Sequence, residues 1–193
     1  MIRIAVEGDI PAILAIYAPY IMNTAYTFEY EVPTEAAFRD RFRKYTAQFP
    51  WLVWEENGKV LGYAYASAPY ERAAYAWCAE PSVYISPAAH RRGIASRLYR
   101  ALEGVLRYQG YQVLYALITE ENHGSRSFHE AAGYRFSVLF PRCGYKLGRW
   151  HGLIWMEKRL SFVESPSNSP TPWRQIIGDV QKMEDILDTL SLS

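Results

Sequence analysis

The chain has 193 residues with 21 Lys and Arg against 20 Asp and Glu, a net charge of +1, half of its residues hydrophobic and 16% aromatic. Such apolar content at so little net charge excludes disorder over most of the length, and the even balance excludes a generally basic nucleic-acid binder. A chain of this size can bury roughly 70% of its unfolded surface, so a core needs neither disulfide nor metal, and the length fits one domain or one domain with an appendage.

Ile2–Val6 reads as a short strand. Asp9-Ile10-Pro11 predicts a helix start, with Asp9 as N-cap and Pro11 in the first turn, and the helix runs to about Met22. No charge occurs from Ile10 to Phe28, which raises the question of a membrane span. Pro11, Pro19, Asn23, Thr24 and Thr27 interrupt that run, and Ile13, Leu14, Ile16, Tyr17 and Ile21 fall on one helix face. The reading is a soluble helix in a cytoplasmic protein with no membrane partner. Thr34 caps a second helix ending near Gln48. Trp51–Glu55 and Lys59–Ser67 are strands joined at Asn57-Gly58, a hairpin signal. Tyr75–Ser86 is a strand, and Arg92–Tyr108 is a helix closed by Gly110. Val113–Ile118 is an apolar strand, and Asn122–Ala132 is a short helix closed by Gly133. Tyr134–Phe140 and Leu153–Arg159 are the last strands, with a loop over 144–150 between them. This order predicts a mixed α/β domain with a partly antiparallel sheet.

The composition changes after Leu160. Residues 161–172 are rich in Ser and Pro and read as a linker. Residues 173–193 read as an amphipathic helix, with Trp173, Ile176, Ile177, Val180, Met183, Leu187 and Leu190 at helical spacing. That helix is expected to pack on its own body or on a neighbouring subunit. Segment 161–193 carries a net charge of −3, so the body 1–160 carries +4. Cys78, Cys143, His90, His123, His129 and His151 are scattered without metal-ligand spacing, so no metal is expected and the cysteines read as free thiols.

The chemistry concentrates after the strand end Val83-Tyr84-Ile85-Ser86. A turn follows, then His90-Arg91-Arg92-Gly93-Ile94-Ala95-Ser96 opens a helix. No acid lies between Glu80 and Glu103, while Arg91, Arg92, Arg97 and Arg100 all do. A strand leading through a Gly-containing turn into a helix start collects backbone N–H groups around a phosphate. Gly93 permits close approach, and Ala95 and Ser96 keep the helix start open. Neither the Walker loop nor the Rossmann fingerprint is present. No second basic cluster with interleaved aromatics supports a nucleic-acid partner.

This segment resembles the pyrophosphate-binding loop of the GNAT acyltransferases, Gln/Arg-x-x-Gly-x-Gly/Ala, with His90 in the first position. Asn122 to Tyr134 resembles that family's Asn-x-x-Ser-x-x-x-Tyr/His-Glu-x-x-Gly-Phe/Tyr helix. Within the family, four stretches are similar to the phosphinothricin N-acetyltransferase group: Thr24 to Glu29, Gly62 to Ala66, Arg72 to Glu80, and Gly144 to His151. Two positions depart from that group's pattern: Pro81 after Glu80, and Gly152 where Asp often stands.

The resemblance implies a GNAT fold, with a mostly antiparallel mixed sheet splayed at a central pair of strands. It implies acetyl-CoA as co-substrate, a homodimer, and a small-molecule amine acceptor such as phosphinothricin, methionine sulfoximine or methionine sulfone. The implied cofactor residues are Val83, Tyr84, Ile85, His90, Arg91, Arg92, Gly93, Ile94, Ala95, Ser96, Asn122 and Ser125. Glu80 is the only carboxylate between Glu71 and Glu103 and sits among Trp77, Pro81 and Val83, surroundings that raise a carboxyl toward neutrality and suit a general base. His129 is the candidate acid for the departing thiolate. Arg72 is the candidate clamp for an acceptor carboxylate. Tyr75, Asn23, Thr24, Phe28 and Lys146 are further acceptor-site candidates, and much of the aromatic excess is expected to wall that site. Pro81 suggests a bulge. The alternatives are a GNAT enzyme for another small amine or a protein N-terminus, and a non-catalytic acyl-CoA sensor.

Overall fold

The computed structural model describes residues 1–166 and 168–177. Seven strands form one sheet in the order β1-β2-β3-β4-β5-β7-β6. They are β1 (Ile2–Ile4), β2 (Trp51–Glu56), β3 (Lys59–Ser67), β4 (Cys78–Ile85), β5 (Val113–Thr119), β6 (Arg135–Lys146) and β7 (Arg149–Arg159). The helices are α1 (Ile10–Asn23), α2 (Glu35–Thr46), α3 (Ile94–Gln109), α4 (His123–Ala131) and the single turn α5 (Trp173–Ile176). Every neighbouring pair is antiparallel except β4 and β5, which run parallel.

That parallel pair is the structural event on which the site depends. β4 and β5 are in register only at Cys78↔Val113 and Ala79↔Leu114. Beyond Ala79 they diverge, so the sheet splays at its centre, as the family resemblance implies. Two cores hold the halves together. The α3 side buries Leu98, Tyr99, Leu102 and Leu106 against Leu114, Ala116, Ile154 and Met156. The α1–α2 side buries Ile13, Tyr17, Phe38 and Phe42 against Trp51, Val53 and Tyr63. On this second face Trp51, Tyr63, Tyr65 and Tyr84 form a stacked aromatic ladder, with Tyr63 and Tyr84 at 5.4 Å and Trp51 and Tyr65 at 4.4 Å. The aromatic excess is therefore substantially core.

Local chemistry explains most element ends. Thr34 accepts a hydrogen bond from the Ala37 N–H, capping α2. Asn57 and Gly58 both take positive φ, 50° and 71°, as a two-residue hairpin turn requires. Asp9 departs from its expected cap. Its side chain makes no cap bond to α1 and instead accepts from the Val6 N–H and pairs with Arg3 at 2.7 Å. An arginine within reach gives the carboxylate a charged partner that helix N–H groups do not. The expected bulge at Pro81 is also absent, because β3 and β4 stay in unbroken register from Gly62↔Ile85 to Ser67↔Glu80. Pro81 is tolerated because its missing N–H lies on the side where β5 has already left. Tyr75 belongs to a short 3-10 turn, Ala73–Tyr75, and not to β4.

The loop expected over 144–150 is instead the tip of a long hairpin. β6 and β7 pair up to Lys146↔Arg149, and Leu147-Gly148 makes the turn with φ of 50° and 77°. Leu147 masks the turn signal in the sequence. Before α5, Pro170 is buried and the Thr171 N–H donates to the Gln109 carbonyl. The Trp173 N–H donates to Gln48, and its indole is 1% exposed. The rest of the predicted final helix lies outside the described residues. No described helix is long and apolar enough to cross a membrane.

Candidate active site

The splay leaves one edge of β4 without a partner. Backbone groups alternate sides along a strand. The Ser86 N–H donates to Leu61 of β3, so even positions of β4 face β3 and odd positions face the gap. The N–H groups of Val83 and Ile85 thus point into the opening. The Ile85 carbonyl already accepts from the Tyr20 hydroxyl at 2.7 Å, with His90 Nε2 at 3.1 Å and 3.0 Å from that same hydroxyl. The residue in the family's Gln/Arg position thereby anchors the strand end.

The start of α3 closes this gap with positive potential. Gly93 takes φ of 75°, and its carbonyl accepts the first helical bond, from Arg97. The N–H groups of Ile94, Ala95 and Ser96 remain without intrahelical partners and gather beside the cavity. The cationic cradle is weaker than the sequence suggests. Arg92 pairs with Glu56 of β2 at 2.7 Å, and Arg97 stacks on Trp54. Among the described residues Arg91 and Arg100 have no ion-pair partner. Across the gap, the Asn122 side chain accepts the Ser125 N–H at 3.1 Å and caps α4.

These elements enclose a cavity of about 490 Å³. It is lined by the predicted cofactor residues from Val83 to Ile85 and from His90 to Ser96, with Asn122 and Ser125. Glu80 and His129 line it as well. Glu80 is partly exposed to the cavity, but the surrounding protein removes most of its bulk water and pushes its pKa up to about 7. His129 is 6% exposed, and burial pushes its pKa down to about 4. Its Nδ1 lies 2.8 Å from the Ser125 carbonyl and its Nε2 2.9 Å from the Tyr99 hydroxyl. Loss of water favours the neutral form of both groups, leaving His129 neutral near pH 7 and Glu80 divided between its acid and its carboxylate.

The acceptor-side candidates are not brought to this cavity. Arg72 and Tyr75 are exposed on the turn after β3. Tyr75 stacks on Tyr70 at 4.4 Å, and Tyr70 packs on Trp155 and Tyr115. Thr24 is spent on the end of α1, donating to the Tyr20 carbonyl at 2.6 Å, and Asn23 is exposed beside it. Phe28 fits over Gly144 and beside His151. Lys146 is buried, donates to the Thr27 carbonyl at 2.6 Å, and is pushed below its ordinary pKa range by desolvation. Together these contacts lace the hairpin tip to the loop after α1. The aromatic excess is divided: Tyr26 and Tyr84 line the cavity, while Tyr63 is core. Tyr20, Leu117, Ile118 and Phe128 line it without any sequence signal, since each sits at ordinary core spacing. Among the described residues no group of three or more His, Cys, Asp or Glu could hold a metal.

Residues 2–155 match the family model described as an acetyltransferase (GNAT) domain. The chain is 33% identical over 165 residues to the phosphinothricin N-acetyltransferase of Streptomyces viridochromogenes, covering 86% of this chain and 90% of that one. It is 32% identical over 170 residues to the L-methionine sulfoximine/L-methionine sulfone acetyltransferase of Salmonella typhimurium, covering 86% and 97%. The crystal structure of a phosphinothricin acetyltransferase from Sinorhizobium meliloti in complex with AcCoA superposes with a TM-score of 0.82 at 35% identity, covering 89% and 92%. A splayed β4–β5 pair, a helix start that opens onto the cavity and these matches together make the chain a member of the GNAT acetyltransferase family.

Proposed function

We propose that this protein transfers an acetyl group from acetyl-CoA to the amine of a small amino acid or amino-acid analogue, of the phosphinothricin, methionine sulfoximine or methionine sulfone type. The observation that carries the reading is the joint placement of an open β4 edge, the α3 helix start and a desolvated Glu80 in one cavity. The residues fit acetyl-CoA. Ile94, Ala95 and Ser96 N–H groups with Arg91 would hold its diphosphate, and the Val83–Ile85 edge would pair its pantetheine arm as an added strand. Asn122 and Ser125 would flank that arm from α4. Acetyl-CoA supplies an activated thioester carbonyl.

Glu80 then acts as general base, taking a proton from the acceptor ammonium directly or through water. The Val83 N–H faces the gap and would stabilise the carbonyl oxygen as it gains charge. As the C–N bond forms and the C–S bond breaks, the thiolate must take up a proton. His129 is the candidate carrier, because it is the titratable group on the α4 wall of the cavity. Tyr75 stacks on Tyr70, which packs on Tyr115 and Trp155, and we assign Arg72 and Tyr75 to the outer rim of the acceptor path.

The exposed apolar strand β6 supports a homodimer. Phe136, Phe140, Tyr145 and Trp150 are 44% to 58% exposed along this edge hairpin. Residues 1–160 are proposed as the catalytic unit, with 161–172 as a connector and 173–193 as a C-terminal appendage. A cytoplasmic setting agrees with two free thiols, Cys78 and Cys143.

A thiol-release assay with acetyl-CoA and a panel of amino acids, their sulfoximine and phosphinic analogues, polyamines and peptides tests the reading. Turnover confined to the small amino-acid analogues is expected. Acetyl-CoA binding without turnover on any acceptor would point to a sensor, and turnover on peptides alone to the N-terminus class.

A further inference from the structure

The open edge of β4 carries alternating acceptors and donors. Read toward the strand end, the gap-facing groups are the Pro81 carbonyl, the Val83 N–H and carbonyl, and the Ile85 N–H and carbonyl. Pro81 brings no N–H. The last group in this series is already occupied. Tyr20 of α1 is half-buried, and its hydroxyl donates to the Ile85 carbonyl at 2.7 Å. Its ring sits edge-on against Tyr84 at 5.2 Å, and Tyr17, three residues earlier on α1, meets the same ring at 4.8 Å. His90 Nε2 lies 3.1 Å from the Ile85 carbonyl and 3.0 Å from the Tyr20 hydroxyl. A carbonyl oxygen has two lone pairs, and a hydrogen on Nε2 fills the second. Side chains from α1 and from the turn before α3 therefore close the edge at Ile85.

Closure matters because a strand edge repeats. A pantetheine N–H that pairs with the Val83 carbonyl would find an equivalent acceptor at Ile85, two residues or about 7 Å along the strand. Pairing there would draw the thioester one repeat back from Glu80, toward the start of α3. With Ile85 capped, the next gap-facing carbonyl is that of Val83. We propose that Tyr20 is a positioning residue for acetyl-CoA: by occupying the Ile85 carbonyl it sets the register in which the pantetheine arm pairs with β4, and so the reach of the thioester toward Glu80. The proposal rests on the reading that the arm pairs with this edge.

The test is Tyr20→Phe, which keeps the ring against Tyr84 and removes the hydroxyl. The freed acceptor adds an unproductive binding mode favoured by one hydrogen bond, about 2- to 10-fold. Occupation of that mode should lower kcat and KM for acetyl-CoA by the same factor and leave kcat/KM unchanged. Loss of a merely structural contact would instead raise KM or leave both constants alone, and either result in a folded variant would overturn the proposal. A crystal structure of the wild-type protein with acetyl-CoA decides the matter without the variant. The Tyr20 hydroxyl should remain on the Ile85 carbonyl, with an arm N–H on the Val83 carbonyl. An arm N–H that displaces Tyr20 from Ile85 would overturn the proposal and leave the functional reading standing. An arm lying away from β4 would remove the cofactor placement of that reading, and the role of Tyr20 with it.

Discussion

At the scale of the residue, one physical cause sets both titratable groups of the cavity. Desolvation raises Glu80 to about 7 and lowers His129 to about 4. This has a stability consequence with a definite sign. Between pH 4.5 and about 7 folded Glu80 holds a proton that the unfolded chain has released, so its contribution to stability is lost as pH rises through that window. Glu80→Gln should therefore unfold later than wild type at pH 8, by up to about 2 kcal/mol, and at the same point near pH 4. Coincident melting curves at pH 8 would show that the carboxyl is hydrated after all. Glu80 is legible in the sequence because no other carboxylate lies nearby and its neighbours are apolar. Tyr99 and Tyr20 are not, because a tyrosine at helical core spacing looks the same whether its hydroxyl is structural or functional.

At the scale of the element, the strand–turn–helix from Val83 to Ser96 and the α4 cap were readable because each depends on short-range chemistry: a glycine at positive φ and an Asn side chain accepting from an N–H three residues on. The β6–β7 hairpin was not, because its turn uses Leu147 in a left-handed conformation that sequence preference assigns to Asn or Gly. Its tip matters through tertiary contacts. The Lys146 ammonium, the Tyr30 hydroxyl and the Phe28 ring tie it to the loop after α1, and His151 and Arg149 tie its second strand to Glu121, beside Asn122. A methyl group at Gly144 would run into the Phe28 ring. Gly144→Ala is expected to cost about 1–3 kcal/mol in a urea titration and to raise KM for the acceptor more than KM for acetyl-CoA. An unchanged titration midpoint would mean that the hairpin tip is not seated on Phe28.

At the scale of the whole molecule, the splay converts one continuous sheet into two half-sheets joined by two residue pairs, with the reacting groups at the fork. No local pattern announces where two parallel strands will part, so the splay came from family resemblance and not from periodicity. The acceptor side was also least legible: Arg72 stays outside the cavity, and Phe28 and Lys146 are consumed by packing. The edge hairpin's apolar surface predicts a second copy as its cover. Light scattering should give twice the chain mass, and Phe140→Asp should give a monomer with weakened turnover; a wild-type monomer would remove the dimer. The most direct test of the account is the pH profile of acetyl transfer to phosphinothricin, wild type beside Glu80→Gln. The wild-type kcat/KM should rise with pH through a limb near 7. The variant should be slower by about 100-fold or more without that limb and with acetyl-CoA affinity retained. A variant that keeps both the rate and the limb would contradict the assignment of Glu80 as the base.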